Sequence, residues 1–497
     1  MIRDISRLEN KTFDVLIVGG GINGAAIAHL AAACGASVAL LEKDDFAAGT
    51  SSRSSKLLHG GIRYLEHFEF DLVAESLRER ALQLKTAPHL TGALRFVIPV
   101  YKDSPRPLWM MKVGVRLYDL LSGRDRLGLP RYLSTEDVVK EAPGISREGL
   151  TGGVEYWDAQ MDDARLCLEN VLMADTFGAV AANNVEVEQF ILEAGRAVGV
   201  QARDRSAGRS FAVKGRTVIL AAGPWSDSLI RKLDPAAPRR LRPTKGVHIV
   251  YQGQVSSSAF LLQGHSDGRV FFVIPYKGHT LIGTTDTDYT GDPGSVSVEE
   301  EDLHYLLTEA ARVFPRLTFE RSRILSSFAG VRPLVAEKGH PSKVSRRHVV
   351  ERLKNGAFAV MGGKYTTYRA IAEDTLRLAL PDRWRCRPPM KDYILFGSGS
   401  LEKAAVCASR YGLSADTVAY LQGVYGSRAE DVLALTHGRP ELKAVVCSCS
   451  PAIAAQVVYA RDVEMARDVD DVLERRLGVS YLGCRNEGCR QRYCQYF

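Results

Sequence analysis

The chain has 497 residues, of which 45% are hydrophobic and 25% charged, so it can bury the cores of roughly three domains. This composition excludes a disordered chain, a collagen-like repeat and a small scaffold held together by disulfides. The net charge of +7 is spread too thinly to indicate nucleic-acid binding, so no nucleic-acid partner is expected. It remains compatible with an anionic substrate or an anionic membrane surface.

Neither a membrane span nor a signal peptide is expected from the sequence. No apolar run reaches the ~18 residues that a spanning helix needs. The first residues are rich in charge, where a signal peptide would be apolar. We therefore expect a cytoplasmic protein.

A dinucleotide-binding fingerprint opens the chain. The apolar run at 14–18 predicts a strand, and an Ala-rich helical stretch follows the three glycines Gly19, Gly21 and Gly24. A second apolar run ends in Glu42, which can accept a hydrogen bond from a ribose hydroxyl. Because strand, turn, helix, strand and acid come in the right order, the segment predicts a dinucleotide site, without distinguishing FAD from NAD.

Later motifs identify a family resemblance. Residues 50–67 read TSSRSSKLLHGGIRYLEH. Further strings follow in order: VEYWDAQMDDARL (154–166), LAAGPW (220–225), KGVHIV (245–250), FFVIPY (271–276), IGTTD (282–286), GVRPL (330–334) and GGKYTTYR (362–369). Together with the glycine fingerprint, they resemble the FAD-dependent glycerol-3-phosphate dehydrogenases over about residues 12–435.

The resemblance implies an α/β (α+β) protein with a Rossmann-like FAD-binding domain, a β-sheet substrate domain and a C-terminal α-helical domain. The first two are expected to interleave over residues 1–390, with FAD parts at about 12–75, 150–235 and 350–385, and substrate parts at about 76–149 and 236–349. The helical domain is expected at 391–497, with a Cys-rich end at 447–494. Apolar periodicity independently predicts short helices at 401–411, 415–425 and 428–436.

The resemblance also implies which residues contact FAD. They fall in the glycine turn, the polar segment after residue 50 and two later glycine-containing turns. The predicted set is Gly19, Gly21, Ile22, Asn23, Gly24, Glu42, Thr50, Ser51, Ser52, Ser54, Ser55, Lys56, Leu57, His59, Gly60, Gly61, Ala222, Gly223, Trp225, Gly363, Lys364 and Thr366.

Substrate groups are expected in the same motifs. Oxidation of a secondary alcohol phosphate needs a phosphate site and a base for the hydroxyl proton. An arginine can donate two parallel hydrogen bonds to phosphate oxygens. Arg53 is not assigned to this role, because it is expected to lie on the surface. The predicted catalytic residues are His248 as base, Arg63, Arg332 and Lys364, and the predicted substrate contacts are Arg63, Tyr64, His248, Arg332, Lys364 and Thr366. His248 could instead be a structural histidine, and Tyr64 could simply pack in the core.

The segment 107–121 is apolar on most of its faces. Such a stripe is typical of a core helix, and that interpretation is favoured. An interfacial helix is the alternative, because residues 95–131 carry eight Lys or Arg against three Asp. Peripheral membrane contact would suit a flavoenzyme that passes electrons to a quinone.

Five of the nine cysteines crowd the last 51 residues. Cys447-x-Cys449 and Cys484-x4-Cys489 supply four thiolates in the two-plus-two arrangement of metal sites. This segment resembles the bacterioferritin-associated-ferredoxin-like 2Fe-2S module, and it also resembles the end of the helical domain in the aerobic dehydrogenases. A 2Fe-2S cluster is favoured, with structural zinc and free or disulfide-forming thiols as alternatives.

These observations predict an FAD-dependent enzyme that oxidises sn-glycerol 3-phosphate to dihydroxyacetone phosphate. Electrons are expected to pass to a quinone or another non-oxygen acceptor or redox partner, through the cluster if one is present. The alternatives are an oxidase that forms hydrogen peroxide, an amine oxidase of the same fold, and a non-catalytic flavin and iron-sulfur electron carrier.

Overall fold

A computed structural model describes residues 1–336, 347–385, 395, 397–399, 401–484 and 486–497. Within these residues the strands form a sheet of eight and a sheet of ten. The strands are β1 (Thr12–Val18), β2 (Val38–Leu41), β3 (Leu57–Leu58), β4 (Thr91–Tyr101), β5 (Arg131–Leu133), β6 (Leu150–Met161), β7 (Val180–Ala182), β8 (Val185–Glu193), β9 (Arg196–Asp204), β10 (Arg209–Leu220), β11 (Leu241–Tyr251), β12 (Ala259–Gln263), β13 (Val270–Tyr276), β14 (His279–Gly283), β15 (Thr287–Asp288), β16 (Ile324–Val335), β17 (His348–Arg352) and β18 (Phe358–Gly362).

The helices flank the sheets and dominate the C-terminal part. They are α1 (Ile22–Ala33), α2 (Phe70–Thr86), α3 (Leu108–Ser122), α4 (Thr135–Glu141), α5 (Asp163–Thr176), α6 (Ser226–Leu233), α7 (Glu300–Val313), α8 (Tyr368–Ala379), α9 (Pro381–Arg385), α10 (Ala404–Tyr411), α11 (Ala415–Tyr425), α12 (Ala429–Ala434), α13 (Ala454–Asp462), α14 (Val469–Asp471) and α15 (Glu487–Cys494). None of the described helices has both the length and the apolar character needed to cross a bilayer.

The eight-stranded sheet carries the nucleotide fingerprint. Strands β18, β10, β1, β2 and β7 lie side by side in that order and pair in parallel. The helix α1 follows β1 and packs against α5 and α8. Its alanines are buried on all sides, as expected for a helix without a polar face. The carboxyl ends of β1 and β2 therefore meet at the start of α1, where a dinucleotide binds in such sheets.

The ten-stranded sheet forms the second wall of a cleft above these strand ends. Its strand β11 pairs with β16 in antiparallel register, which places His248 opposite Phe328 and Thr244 opposite Arg332. The two strands thus present side chains of two separate motifs, KGVHIV and GVRPL, to one region. The expected architecture, with a Rossmann-like sheet, a second sheet and a helical C-terminal part, is confirmed.

The C-terminal helices lie where apolar periodicity predicts them, at α10, α11 and α12. They share a core of aliphatic and aromatic residues with α13 and α15. The π-helical turn Val472–Arg476 then brings two arginines back to the first domain. Arg476 donates to both carboxylate oxygens of Asp45, at 2.7 and 2.8 Å, and Arg475 Nε donates to Asp45 Oδ2 at 2.7 Å.

A second buried ionic contact ties the helical part to α5. Arg165 Nη1 donates to both carboxylate oxygens of Glu464 at 2.8 Å, and Arg428 pairs with Glu169. All four side chains are almost fully buried. We call these residues, together with Asp45, Arg475 and Arg476, the buried ionic network. It fixes the C-terminal part against the nucleotide-binding sheet.

One feature differs from expectation. The helix α3 is not a core helix: Val115, Tyr118 and Ser122 are its buried residues, whereas Trp109 is 65% and Leu120 69% exposed. Its apolar stripe is wider than its contact surface, which faces mainly β6, α2 and the turn Ile62–His67. The domain boundaries stay a prediction, although β6, in the range assigned to the FAD part, pairs with β4 in the larger sheet.

Candidate active site

A cavity of about 430 Å³ runs from the glycine turn to the inner face of the larger sheet. Most of the predicted site residues line it. They are Gly19, Gly21, Ile22, Asn23, Glu42, Thr50, Ser51, Ser54, Ser55, Leu57, His59, Gly61, Arg63, Tyr64, Ala222, Gly223, Trp225, His248, Arg332, Gly363, Lys364 and Thr366. Residues up to 347 positions apart in the chain therefore meet in one space, as the motifs predict.

The glycine turn is shaped for close approach of a ligand to the backbone. Gly19 has a φ of +112°, and a Cβ added there would lie 2.5 Å from the Ala221 carbonyl oxygen. A Cβ on Gly24 would lie 1.8 Å from the Gly19 carbonyl oxygen, so the helix packs directly on the turn. The buried Asn23 Oδ1 has no hydrogen-bond partner in the described part of the chain. The turn thus fits a diphosphate at the start of α1.

Glu42 is held beside this turn by backbone amides. The Gly20 amide donates to Glu42 Oε2 at 2.7 Å, and the Asp44 amide donates to Oε1 at 2.9 Å. Burial raises the pKa of Glu42 to about 7, against the lowering effect of these two hydrogen bonds. The fixed carboxyl can accept hydrogen bonds from ribose hydroxyls. Lys43 and Trp225 flank it, with Lys43 Nζ 4.0 Å from the ring centroid.

His248 lies at the other end of the cavity. Its Nε2 shares a hydrogen bond of 2.8 Å with Ser55 Oγ, and its ring stacks on Phe328 with centroids 5.1 Å apart. Burial, and then the charges of Arg332 and Lys56, hold its pKa well below the usual value. The imidazole is therefore neutral near pH 7, which is the form that can take up a proton.

Arg332 projects from β16 into the same end of the cavity. Its Nη1 donates to Asp286 Oδ1 at 2.8 Å and its Nη2 to Thr284 Oγ1 at 2.7 Å. The side chain lines the cavity and is 23% exposed. Asp286 and Thr284 fix the plane of its guanidinium, and a guanidinium held in this way at a cavity wall can bind an anion.

Lys364 and Tyr64 form the cavity wall between the glycine turn and His248. Lys364 Nζ lies 4.0 Å from the Tyr64 ring centroid and 3.2 Å from Ser76 Oγ. Burial lowers the pKa of Lys364. Gly61 has a φ of +82°, and a Cβ there would lie 2.3 Å from the Tyr64 ring, so the glycine lets this wall form. Thr366 joins the same wall through a hydrogen bond with the His59 amide.

Comparisons with known proteins agree with this geometry. Residues 14–369 match the family described as FAD dependent oxidoreductase, and residues 390–491 match the C-terminal domain of alpha-glycerophosphate oxidase. A glycerol-3-phosphate dehydrogenase of Synechocystis sp. is 37% identical and covers 96% of this chain and 91% of its own. The chain belongs to the FAD-dependent glycerol-3-phosphate dehydrogenase and oxidase family. It is an FAD-dependent oxidoreductase.

Among the other relatives, some are named oxidases and others dehydrogenases. An alpha-glycerophosphate oxidase of Streptococcus pyogenes is 36% identical over 95% of this chain and 89% of its own. The crystal structure of a Bacillus halodurans glycerol-3-phosphate dehydrogenase complexed with FAD is similar, with a TM-score of 0.79, 30% identity and coverage of 99% of this chain and 95% of its own. The family therefore contains dehydrogenases and oxidases at nearly equal identity to this chain.

Four residues predicted to contact FAD lie outside the cavity lining of this family member: Gly24, Ser52, Lys56 and Gly60. Lys56 is buried, and its Nζ donates to Asp163 Oδ1 and to the Ser52 carbonyl, both at 2.6 Å. Asp163 also accepts from Ser54 Oγ at 2.6 Å. These contacts turn the Lys56 side chain away from the cavity and fix residues 50–56, here called the flavin loop because FAD contacts are predicted there. The predicted FAD contacts of the four residues stay predictions.

Arg53 and Asp286 are among the cavity residues that sequence reasoning missed. Arg53, expected on the surface, lines the cavity and donates through Nη1 to the Ala329 carbonyl at 3.2 Å. Asp286, which orients Arg332, had the IGTTD string as its only signal. That string marks the family but does not show that Arg332 on β16 reaches Asp286, just after β14, across the intervening strand β11.

The predicted metal ligands do come together. The sulfur atoms of Cys447, Cys449, Cys484 and Cys489, here called the four-cysteine cluster, lie within 4.8 Å of one another. The family profile that matches this segment is the oxidase C-terminal domain. The expected resemblance to a ferredoxin-like 2Fe-2S module is therefore not supported by the comparisons.

Proposed function

We propose that the protein oxidises sn-glycerol 3-phosphate to dihydroxyacetone phosphate and passes the electrons to a quinone or another non-oxygen acceptor. The names of its relatives support the substrate, and the cavity supports the chemistry. A bound flavin supplies a hydride acceptor for the hydrogen on C2. The protein itself must bind a phosphate dianion, orient C2 and accept the hydroxyl proton.

The observation that carries this proposal is that a neutral His248 and the cavity-lining Arg332 lie on adjacent strands. The C2 hydroxyl would bind at the His248 and Ser55 pair and give its proton to His248 Nε2. A phosphate dianion beside Arg332 would oppose the charge that lowers the His248 pKa. Substrate binding would thereby make the base stronger when it is needed.

Arg63 completes the proposed phosphate site. It lies in the turn Ile62–His67, lines the cavity and forms no ion pair within the described ranges. Its guanidinium stacks 5.7 Å from the Tyr64 ring centroid. Two arginines, one oriented by Asp286 and one unpaired, fit a phosphate better than an amine, because a cationic substrate would be repelled.

Phe96, Tyr156 and Phe272 line the cavity beside these polar groups. Their rings pack together, with Phe96 and Tyr156 centroids 5.2 Å apart. An apolar wall restricts water near the reacting carbon and strengthens the electrostatic contacts of the arginines.

A quinone acceptor is favoured by α3. Its exposed Trp109, Met110, Val113 and Leu120 lie in a segment with a local charge of +5 over residues 95–131, from eight basic and three acidic residues. Apolar side chains in a basic setting suit the inner face of the cytoplasmic membrane, where quinones are dissolved. The oxidase is the second candidate, because relatives with that name are nearly as similar.

The decisive experiment mixes the purified flavoprotein with glycerol 3-phosphate without oxygen. We expect flavin bleaching, and much weaker bleaching with glycerol at the same concentration. Turnover is then compared with oxygen and with a soluble quinone as the sole acceptor. Faster turnover with oxygen would establish the oxidase. Absent bleaching would leave a non-catalytic electron carrier.

A further inference from the structure

The four-cysteine cluster brings together three separate segments of the C-terminal part of the chain. Cys447 and Cys449 follow the turn Pro440–Lys443, Cys484 follows the turn Val479–Leu482, and Cys489 lies in α15. Cys447 and Cys484 have their sulfurs 3.3 Å apart, and those of Cys449 and Cys489 are 3.6 Å apart. Both separations exceed the ~2.05 Å of a disulfide bond.

These separations match one metal ion better than two. Four thiolates at ~2.3 Å from a tetrahedral ion lie about 3.8 Å from one another. In a 2Fe-2S cluster, thiolates on different irons lie ~5.5 Å or more apart, because two sulfides separate the irons. No two sulfur atoms of the four-cysteine cluster lie more than 4.8 Å apart. The cluster is therefore too tight for the binuclear centre that the ligand spacing suggests.

Burial and ligand type point to a structural ion. Cys447, Cys484 and Cys489 are at most 9% exposed, and Cys449 is half-buried. The Tyr493 hydroxyl lies 3.8 Å from Cys447 Sγ and can donate to a thiolate. Four soft ligands fill a tetrahedral shell and leave no position for a substrate, which is the pattern of structural zinc.

We propose that the four-cysteine cluster binds one zinc ion, which no part of the proposed reaction uses. Binding replaces the thiol protons with Zn²⁺, so protons are released and no electron is transferred. The ion joins α15 and the turn Val479–Leu482 to the segment after residue 443.

The ion also has a consequence for the active site. Tyr481, three residues before Cys484, donates from its hydroxyl to the Ser52 carbonyl at 3.1 Å. Its ring contacts Phe328, with centroids 5.2 Å apart, and Phe328 stacks on His248. Ser326 Oγ donates to the Tyr481 carbonyl at 2.9 Å. Zinc would therefore hold the piece of chain that supports the flavin loop and the base from behind.

The test is metal analysis of the full-length flavoprotein, purified without a metal-affinity step. We expect one zinc per chain, no iron beyond trace amounts and no acid-labile sulfide. Cys484→Ser should lower the zinc content to below about 0.1 per chain. Cys494→Ser is the matched control, since Cys494 is exposed, lies on the same helix as Cys489 and is outside the cluster. It should keep its zinc.

A measurement on the wild type covers the case in which Cys484→Ser does not fold. Titration with an organomercurial should release one zinc as the thiolates react, with a metal-sensitive dye as the readout. Cobalt exchanged into the site should give ligand-field bands of a tetrahedral thiolate complex, to the red of the flavin absorption. Two irons with two sulfides per chain, one iron without sulfide, two disulfides, or metal-free thiols after growth with zinc would each overturn the proposal.

Discussion

Arginine performs two different tasks in the cleft and in the buried ionic network. In the network Arg476 is 1% exposed and fully paired, since Asp45 and the Glu464 carbonyl accept from it. In the cleft Arg332 is 23% exposed, is oriented by Asp286 and Thr284, and lines the cavity. A guanidinium enclosed by its partners is structural, whereas one held at a cavity wall can bind a ligand.

The pKa values of two carboxyl groups, Asp45 in the network and Glu42 in the cleft, show the same contrast. Burial alone would raise the pKa of Asp45, but Arg476 and Arg475 outweigh it and bring the pKa to about 2. Glu42 in the cleft forms no ion pair with an arginine within the described residues, and burial outweighs the lowering effect of Lys43 and raises its pKa to about 7. The charge of Asp45 is therefore already balanced by arginines, while the cleft retains groups whose charge a ligand can still change.

The largest effect is expected from Arg332→Leu. Removing the cavity-lining guanidinium should cost about 2 to 5 kcal/mol in kcat/KM for glycerol 3-phosphate, which is roughly 30- to 4000-fold. Activity with glycerol should change far less, and the melting temperature should change little. Arg323→Leu is the matched control, because this arginine contacts the Gln252 carbonyl outside the cavity. Equal losses for both substrates would place Arg332 with the structural arginines.

Asp45→Asn tests the other side of the comparison. It leaves Arg476 buried without its carboxylate partner and leaves Arg475 with only Asp471 and Glu474, which should cost about 3 to 5 kcal/mol in the free energy of unfolding. Thermal or denaturant unfolding measures the loss, and kcat/KM per folded flavoprotein should stay near the wild-type value. Asp462→Asn, in the exposed Arg461 pair, should leave stability nearly unchanged. A similar loss from both variants would contradict the proposed role of burial.

The free energy of unfolding is expected to fall at acidic pH because His29 is buried. This side chain lies between α1 and α5 and shares a hydrogen bond of 3.0 Å with Asn170, and burial lowers its pKa to about 3. Below about pH 6.5 the unfolded chain binds a proton that the folded chain refuses, so stability falls by up to ~1.4 kcal/mol per pH unit. His29→Gln should reduce the pH dependence of unfolding between pH 6.5 and 5 and leave the share that the buried His248 contributes with the same sign. The exposed His67→Gln should reproduce the wild-type slope.

The smallest effect on stability is expected at α3. Trp109→Ser and Leu120→Ser alter side chains that are 65% and 69% exposed, so unfolding should change by less than about 0.5 kcal/mol. Sedimentation with anionic vesicles should nevertheless decrease if this surface contacts a membrane. Unchanged vesicle binding, or none in the wild type, would remove the support that α3 gives to a quinone acceptor.

Local sequence order was sufficient for the elements nearest to the cofactor. Gly19, Gly24 and Glu42 are close in sequence, and the strand, turn and helix around them were predicted directly. The four-cysteine cluster was also predicted, because thiol spacing is distinctive even across 40 residues. In both cases the chemistry itself limits which residues can meet.

Pairings between distant ordinary residues could not be predicted. Asp45 and Arg476 are 431 positions apart and carry no motif. Lys56 lies in a motif, yet its partner Asp163 turns it away from the cavity. Whether the apolar stripe of α3 is covered depends on its neighbours in three dimensions, and the periodicity alone favoured the wrong answer.

The position of Tyr481 bears on how the enzyme is made. Its hydroxyl reaches the Ser52 carbonyl across 429 residues, so the flavin loop leaves the ribosome long before its support. Domains generally fold during synthesis from the amino-terminal end. The nucleotide-binding sheet would also have to wait for β18, which is synthesised after residue 357. Nascent chains are thus expected to acquire a tightly held flavin only as synthesis passes Tyr481, which would prevent partly made enzyme from drawing electrons from its substrate.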